Sequence, residues 1–121
     1  MIYCQLSDIR NMVLDDVLMR ITGGESENVI DTDVVNEAIA SAGNMINAYC
    51  ESRYELPFSP VPSLITYISV VIAIHSLFSR KLEKAPGLYE ERYLDARNML
   101  TGISAGSITL DAKFRRDSVL T

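Results

Sequence analysis

The stretch from residue 61 to residue 80, VPSLITYISVVIAIHSLFSR, constrains the fold of this chain more than any other part of it. Apolar side chains occur on almost every side of the segment, so a helix built from it has to be covered all round. Pro62 suits the first turn of a helix, where its missing N–H costs no hydrogen bond. The segment is also longer than an ordinary strand. The sequence therefore predicts a buried central helix.

A line of small residues along this helix would let another helix approach closely; it consists of Ser63, Thr66, Ser69, Ala73 and Ser76. A transmembrane span is the alternative, because a bilayer needs about 20 apolar residues. The hydroxyl groups, the embedded His75 and the single apolar segment favour a soluble helix. The first residues, MIYCQLSDIR, also lack the pattern of a secretory signal. We therefore expect a soluble protein, made in the cytoplasm, with no membrane partner.

The remaining sequence predicts a mainly α fold, a small bundle of about four helices around the central one, with a short strand-like C-terminal extension. With 121 residues, the chain can bury a real core. Residues 1–110 are expected to form the helical domain and residues 111–121 an extension. Hydrophobic periodicity places the other elements: a helix from Ser7 to about Arg20–Gly23, one from about Asp33 to Tyr54, one from about Leu88 to Gly102, and a strand-like run from Ser107 to Leu110.

Three prolines, Pro57, Pro60 and Pro62, stiffen the connection into the central helix, because each fixes its own backbone and restricts the residue before it. Leu56 and Phe58 are expected to anchor this corner in the core. Cysteines Cys4 and Cys50 lie among apolar neighbours without metal-site spacing, which predicts buried free thiols.

Charge is distributed unevenly along the chain. Residues 1–55 carry ten acids and three bases, residues 56–79 carry no charge, and residues 80–121 carry six acids and eight bases. The net charge of -5 argues against a protein that grips nucleic acid. Ordinary solvated surface is one interpretation of the asymmetry. The other is that acidic and basic faces of neighbouring copies meet head to tail, an arrangement that closes into rings.

No catalytic, cofactor or metal site is predicted. His75 is the only histidine, and its place on an apolar helix indicates a packed, hydrogen-bonded residue. Glu90 and Glu91 diverge around a helix, so they cannot act as a carboxylate pair. The acidic loop of residues 22–33 lacks the spacing of a calcium loop, and its Asp31 or Thr32 is expected to cap the next helix. We therefore expect a protein that is not an enzyme.

One stretch resembles a known family. Tyr49, Arg53, Tyr54, Leu56, Pro57, Val61 and Pro62 form a pattern that is similar to that of Mu-like phage and prophage proteins of about this length. The Leu77–Phe78 pair, Arg80–Lys81 and the ending from Gly106 to Leu110 follow the same pattern. Many relatives carry a Gly-Asp-Gly type turn where this chain has GGESEN, so any cation that they hold is not carried over.

The resemblance implies a head-tail connector, or head-completion adaptor, located in the neck of a virion. Such a protein forms a ring, expected to be twelvefold, beneath the portal, extends the DNA channel and docks the next neck or tail component. Genomic DNA would pass without sequence-specific binding. The acidic half is expected to line the channel, and basic residues to contact a neighbouring subunit or the portal: Arg80, Lys81, Lys84, Lys113, Phe114, Arg115 and Arg116.

Two other classes compete with this interpretation. A DNA-binding regulator would need a basic recognition helix, and the predicted helices are acidic or neutral. A small enzyme or ligand-binding helical domain would need His75 in an open pocket beside a carboxylate. The native mass, alone and with portal, separates these classes, since only the connector predicts a high-order ring.

Overall fold

A computed structural model describes residues 2–23 and 28–116 of the chain. These residues form a helical bundle, in which no strand occurs; its five helices are α1 Leu6–Arg10, α2 Asp15–Thr22, α3 Thr32–Cys50, α4 Ser63–Arg80 and α5 Gly87–Ala105. The predicted mainly α bundle around a central helix is confirmed. Residues 24–27, which belong to the predicted acidic loop, and residues 117–121 of the predicted extension lie outside the described residues.

The central helix α4 lies between α3, α5 and the two short helices. Ten of its 18 residues are buried, including the small residues Ser69 and Ala73. By length and composition it is the one helix in the described residues that could cross a membrane, and this burial is what a core helix of a folded bundle shows. Ser69 donates a hydrogen bond to the Cys4 Sγ over 3.2 Å.

The single N-terminal helix predicted from Ser7 to Arg20–Gly23 is wrong, because the chain breaks between α1 and α2. Leu14 adopts an extended conformation, with ψ of 146°, and its side chain is exposed. Arg10 spans the break and donates to both carboxylate oxygens of Asp15, over 2.9 and 2.7 Å. The carbonyl of Met12 at the break accepts a hydrogen bond from the Tyr89 hydroxyl. The apolar periodicity continues across the break, which is why it predicted one helix.

The second predicted helix is α3, and its predicted cap is confirmed. The Asp31 side chain accepts from the backbone N–H groups of Asp33 and Val34. The helix ends at Cys50, not Tyr54, because residues 51–53 turn the chain toward the corner.

Helix α4 ends in a hydrogen-bonding pattern that normally uses glycine. Glu83 N–H donates to the Phe78 carbonyl and Leu82 N–H donates to the Ser79 carbonyl. These two bonds define a Schellman motif, whose left-handed position usually holds glycine. Here Leu82 occupies it with φ of 56°, and its side chain is 97% exposed.

Helix α5 continues past the predicted end at Gly102 and stops at Gly106, which has φ of 87°. Gly102 instead permits a close approach, since a Cβ there would lie 2.8 Å from the Ile108 Cδ1. The predicted strand-like run from Ser107 to Leu110 is wrong, because these residues form a bend after the helix. Strand-like pairing occurs later, at Phe114.

Candidate interaction surface at the corner before the central helix

The corner, defined as residues 51–62 between α3 and α4, is built around one buried tyrosine. Tyr54 is 1% exposed, and its ring lies 5.8 Å from that of Phe58 and 5.1 Å from that of Phe114. Phe58 is buried, as predicted, and also contacts the Tyr3 ring at 5.5 Å; Leu56 is half-buried. The peptide bonds before Pro57 and Pro60 are cis. Tyr54, one of the two tyrosines of the family pattern, is therefore the centre of an aromatic cluster.

A C-terminal segment lies against this corner. We call residues 110–116 the arm. Tyr54 and Phe114 form an antiparallel bridge, in which Glu55 N–H donates to the Lys113 carbonyl and Arg115 N–H donates to the Arg53 carbonyl, both over 2.9 Å. The arm is thus joined to the corner in the manner of an added strand.

Two further hydrogen bonds join the arm to the corner. Leu110 N–H donates to the Tyr54 hydroxyl oxygen over 2.9 Å. The Arg115 guanidinium donates to the Glu51 carbonyl over 3.1 Å. Leu110 is 7% exposed and is the last buried residue of the described chain, whereas Lys113 to Arg116 are exposed.

Three clefts surround the junction of corner and arm. The first has a volume of 580 Å³ and lies between residues 57–60 and residues 111–113. The second lies beside Leu110 and the start of α4, and the third lies beside Arg115 and Tyr54. The corner therefore offers apolar and polar surface on both sides of the arm.

Arg53 of the family motif packs on the end of α5. A Cβ at Gly106 would lie 2.9 Å from the Arg53 guanidinium, so only glycine leaves this space open. The guanidinium lies next to the C-terminus of α5, where the helix dipole favours a positive charge. The Arg53 Nε is buried and has no hydrogen-bond partner in the described residues. This contact needs both the arginine and the glycine, and both belong to the sequence pattern that resembles Mu-like phage proteins.

Tyr49 lies two residues before the corner and faces α5. The Arg97 guanidinium donates to the Tyr49 hydroxyl over 3.3 Å and to the Tyr93 hydroxyl over 3.4 Å. These bonds raise the pKa of Arg97. The sequence offered no signal for Arg97, because its partners come from two different helices.

The predicted basic contact residues are not brought together by the fold. Arg80, Lys81 and Lys84 lie at the C-terminal end of α4, while the basic residues of the arm lie near the N-terminal end of α4. An 18-residue helix is about 27 Å long, which separates the two groups. Lys81 is used inside the fold, since its Nζ donates to the Gly23 carbonyl over 2.7 Å.

His75 is half-buried between α4 and α5, and its predicted hydrogen bond is present. Its Nε2 lies 3.0 Å from the Glu90 Oε2, and its ring stacks on Tyr93 with centroids 3.7 Å apart. Glu91 is exposed, so the two glutamates diverge as predicted. Neither His75 nor Glu90 lines the clefts at the corner. The contact between His75 and Glu90 instead joins α4 to α5.

Cys4 and Cys50 are buried free thiols, as predicted. Burial raises the pKa of Cys4, and it raises the pKa of Cys50 to about 11. Both are therefore protonated and weakly nucleophilic at neutral pH. In the part of the chain that the structure describes, no three His, Cys, Asp or Glu side chains cluster in a way that could hold a metal ion.

A comparison with protein families matches residues 3–119 to the family described as Bacteriophage Mu, Gp36. The chain belongs to the bacteriophage Mu Gp36 family. A comparison with curated proteins finds no match. Family membership confirms the resemblance to Mu-like phage proteins and indicates a structural, head-related protein of a phage. In this member of the Gp36 family, Tyr54 and Arg53 hold the corner, the arm and the end of α5 together.

Proposed function

We propose that the chain is a head-tail connector of a Mu-like phage, which forms a ring beneath the portal and docks the next neck or tail component. The match to the Gp36 family over residues 3–119 carries this proposal. A ring needs two different complementary surfaces on each subunit. Exposed residues of opposite charge supply candidates for them, since Glu51 and Glu55 are acidic whereas Arg80, Lys84, Lys113 and Arg116 are basic.

The surface of α3 suits the wall of a DNA channel. This helix has 19 residues and contains no lysine or arginine. Its exposed residues are acidic or uncharged, and include Asp33, Asn36, Glu37 and Asn44. A wall without cations does not bind phosphate groups, so DNA can slide along it. We therefore place α3 on the channel side of the ring.

Native mass spectrometry of the purified chain, alone and with portal protein, tests the connector function. We expect a closed ring of identical subunits, with twelve as the expected number, that is formed or stabilised by the portal. A chain that stays monomeric with portal would contradict the proposal. A monomer that instead shifts duplex DNA in a salt-dependent way would identify the alternative, a DNA-binding regulator.

Charge reversal tests the position of α3. The double variant Asp33→Lys/Glu37→Lys should form rings that retain duplex DNA at low salt, because each added lysine contacts phosphate groups in the channel. The matched control is Glu91→Lys/Asp95→Lys, which makes the same charge change on exposed residues of α5. Equal DNA retention by the two ring variants would contradict the assignment of α3 to the channel.

A further inference from the structure

The arm and the corner are two complementary halves of one interface, and every copy of the chain contains both. We infer that, in the assembled ring, the arm of each subunit leaves its own corner and binds the corner of the next subunit. The inference rests on the proposed function, since it describes how the ring is joined. The binding surface is residues 51–58 of the corner, and its partner is the arm, residues 110–116, of a second copy.

The arm can be separated from the rest of the bundle. Beyond Leu110 none of its described residues is fully buried, although Ala112 packs partly against the core. The contacts of the arm with the corner include four hydrogen bonds and one ring stack. Thr109, just before it, is exposed and forms no hydrogen bond within the described chain. Ile108 stays with α5, because its N–H donates to the Gly102 carbonyl. Thr109 is therefore the natural hinge.

A second copy is the partner that fits best, because the corner is already shaped for this arm. The bridge bonds are backbone bonds in fixed register around Tyr54, and the Phe114 ring stacks on Tyr54. The charges are also complementary, since Lys113 and Arg116 are on the arm while Glu51 and Glu55 are exposed on the corner. An identical arm from another copy can make all of these contacts without any change in the shape of the corner.

Exchange of the arm produces the type of contact that a ring requires. The arm of one copy would meet the corner of the next, so the two partners use different surfaces. The same contacts occur in the closed monomer and in the exchanged form, so exchange costs little beyond the hinge change and the entropy of association. From Thr109 to Phe114 an extended chain spans about 17 Å, which gives the arm the length to reach an adjacent subunit.

Two exposed residues allow a direct test. Glu55 and Lys113 face each other in the antiparallel pair, where Cα atoms lie about 4.5–5.5 Å apart, a distance that a disulfide spans. In the double variant Glu55→Cys/Lys113→Cys, oxidation of the dilute monomer should lock the arm onto its own corner. We expect at least a tenfold loss of ring formation, measured by native mass, and recovery after reduction. The variant Glu55→Ser/Lys113→Ser is the unlocked control.

The single variants Glu55→Cys and Lys113→Cys, mixed before assembly and then oxidised, should give disulfide-linked dimers on a non-reducing gel. Each variant oxidised alone is the control. If rings form but the mixture gives no linked dimers, or if the locked monomer assembles as well as the reduced one, exchange is overturned and the connector function stands. Linked dimers without rings would support exchange of the arm and overturn the proposal that the chain forms a ring. Absence of both rings and linked dimers overturns both.

Discussion

At the N-terminal end of α4, a buried tyrosine, two further aromatic rings and paired backbone groups hold the corner and the arm. At its C-terminal end, an ion pair between Arg20 and Glu83 and the backbone turn at Leu82 lie in solvent. Both ends carry basic residues, but buried packing contributes several times more to stability than an exposed ion pair. We therefore expect the corner to contribute more to the stability of the fold than the exposed ion pair and turn at the far end.

The largest effect is expected for Tyr54→Ala, which removes a buried ring from between Phe58 and Phe114. The free energy of unfolding should fall by about 3–5 kcal/mol, measured by urea denaturation. Tyr54→Phe keeps the ring but leaves the Leu110 N–H unpaired, and should cost only about 1 kcal/mol. A loss below about 1 kcal/mol for Tyr54→Ala would show that the ring does not organise the corner.

Alkaline pH should destabilise the protein through Cys50 at the end of α3. Burial raises the pKa of its thiol from 9.0 to about 11, so the unfolded chain loses this proton before the folded one. The stability that this thiol contributes is complete below pH 9 and is lost as the pH rises toward 11, by about 2 kcal/mol. The slope of the unfolding free energy against pH should be smaller for Cys50→Ala. Equal slopes would contradict a buried, protonated thiol.

Gly106→Ala tests the contact between the corner and α5. Alanine would strain the backbone, which has φ of 87°, and its Cβ would displace the Arg53 guanidinium. A thermal-unfolding measurement should show a loss of about 1–2 kcal/mol. Gly87→Ala is the matched control at the other end of α5, where no atom lies within 4 Å of the new Cβ. If both variants lose the same stability, the corner does not depend on the space that Gly106 leaves for the Arg53 guanidinium.

At the far end, Leu82→Gly should stabilise the isolated chain by about 0.5–1 kcal/mol. Glycine relieves the left-handed backbone, and an exposed leucine side chain loses no packing. Leu82→Ala keeps the backbone strain and should leave the unfolding midpoint almost unchanged. Destabilisation by Leu82→Gly would mean that the side chain packs in solution.

The smallest effect is expected for Arg20→Ala, because the ion pair with Glu83 is about half exposed. The free energy of unfolding should change by less than about 0.5 kcal/mol, and the change should shrink further at high salt. A loss that approaches that of Gly106→Ala would remove the contrast between the two ends of α4.

Several features of the fold could be predicted because they depend on local patterns. An all-round apolar segment has to be buried, so α4 was placed at the centre. A polar side chain before the first turn of a helix can satisfy free N–H groups, so Asp31 or Thr32 is the predicted cap of α3, and Asp31 is the cap. The burial of Cys4 and Cys50 follows from their apolar neighbours, and Phe58 is buried as the predicted anchor of the corner. Family membership was also predicted, from the pattern around Tyr49 to Pro62.

The errors arose where backbone geometry opposed the side-chain pattern. The periodicity that joined α1 to α2 continued through a break at Leu14, which hydrophobic spacing alone cannot detect. Alternation in residues 107–110 suggested a strand, but pairing requires a second backbone, and the corner supplies it only further along at Phe114. Gly102 suggested a helix end, whereas it provides room for Ile108.

By itself the sequence determined a helical bundle, its central helix, its acidic character and its phage family, since composition and local order carry that information. Only the tertiary structure decided that Arg53 lies over Gly106, that Phe114 stacks on Tyr54, and that the two basic groups lie at opposite ends of α4. The two contacts of Arg53 and Tyr54 join residues more than 50 positions apart in the chain. No local pattern encodes such distances, because the path of the helices between them sets where each residue meets its partner.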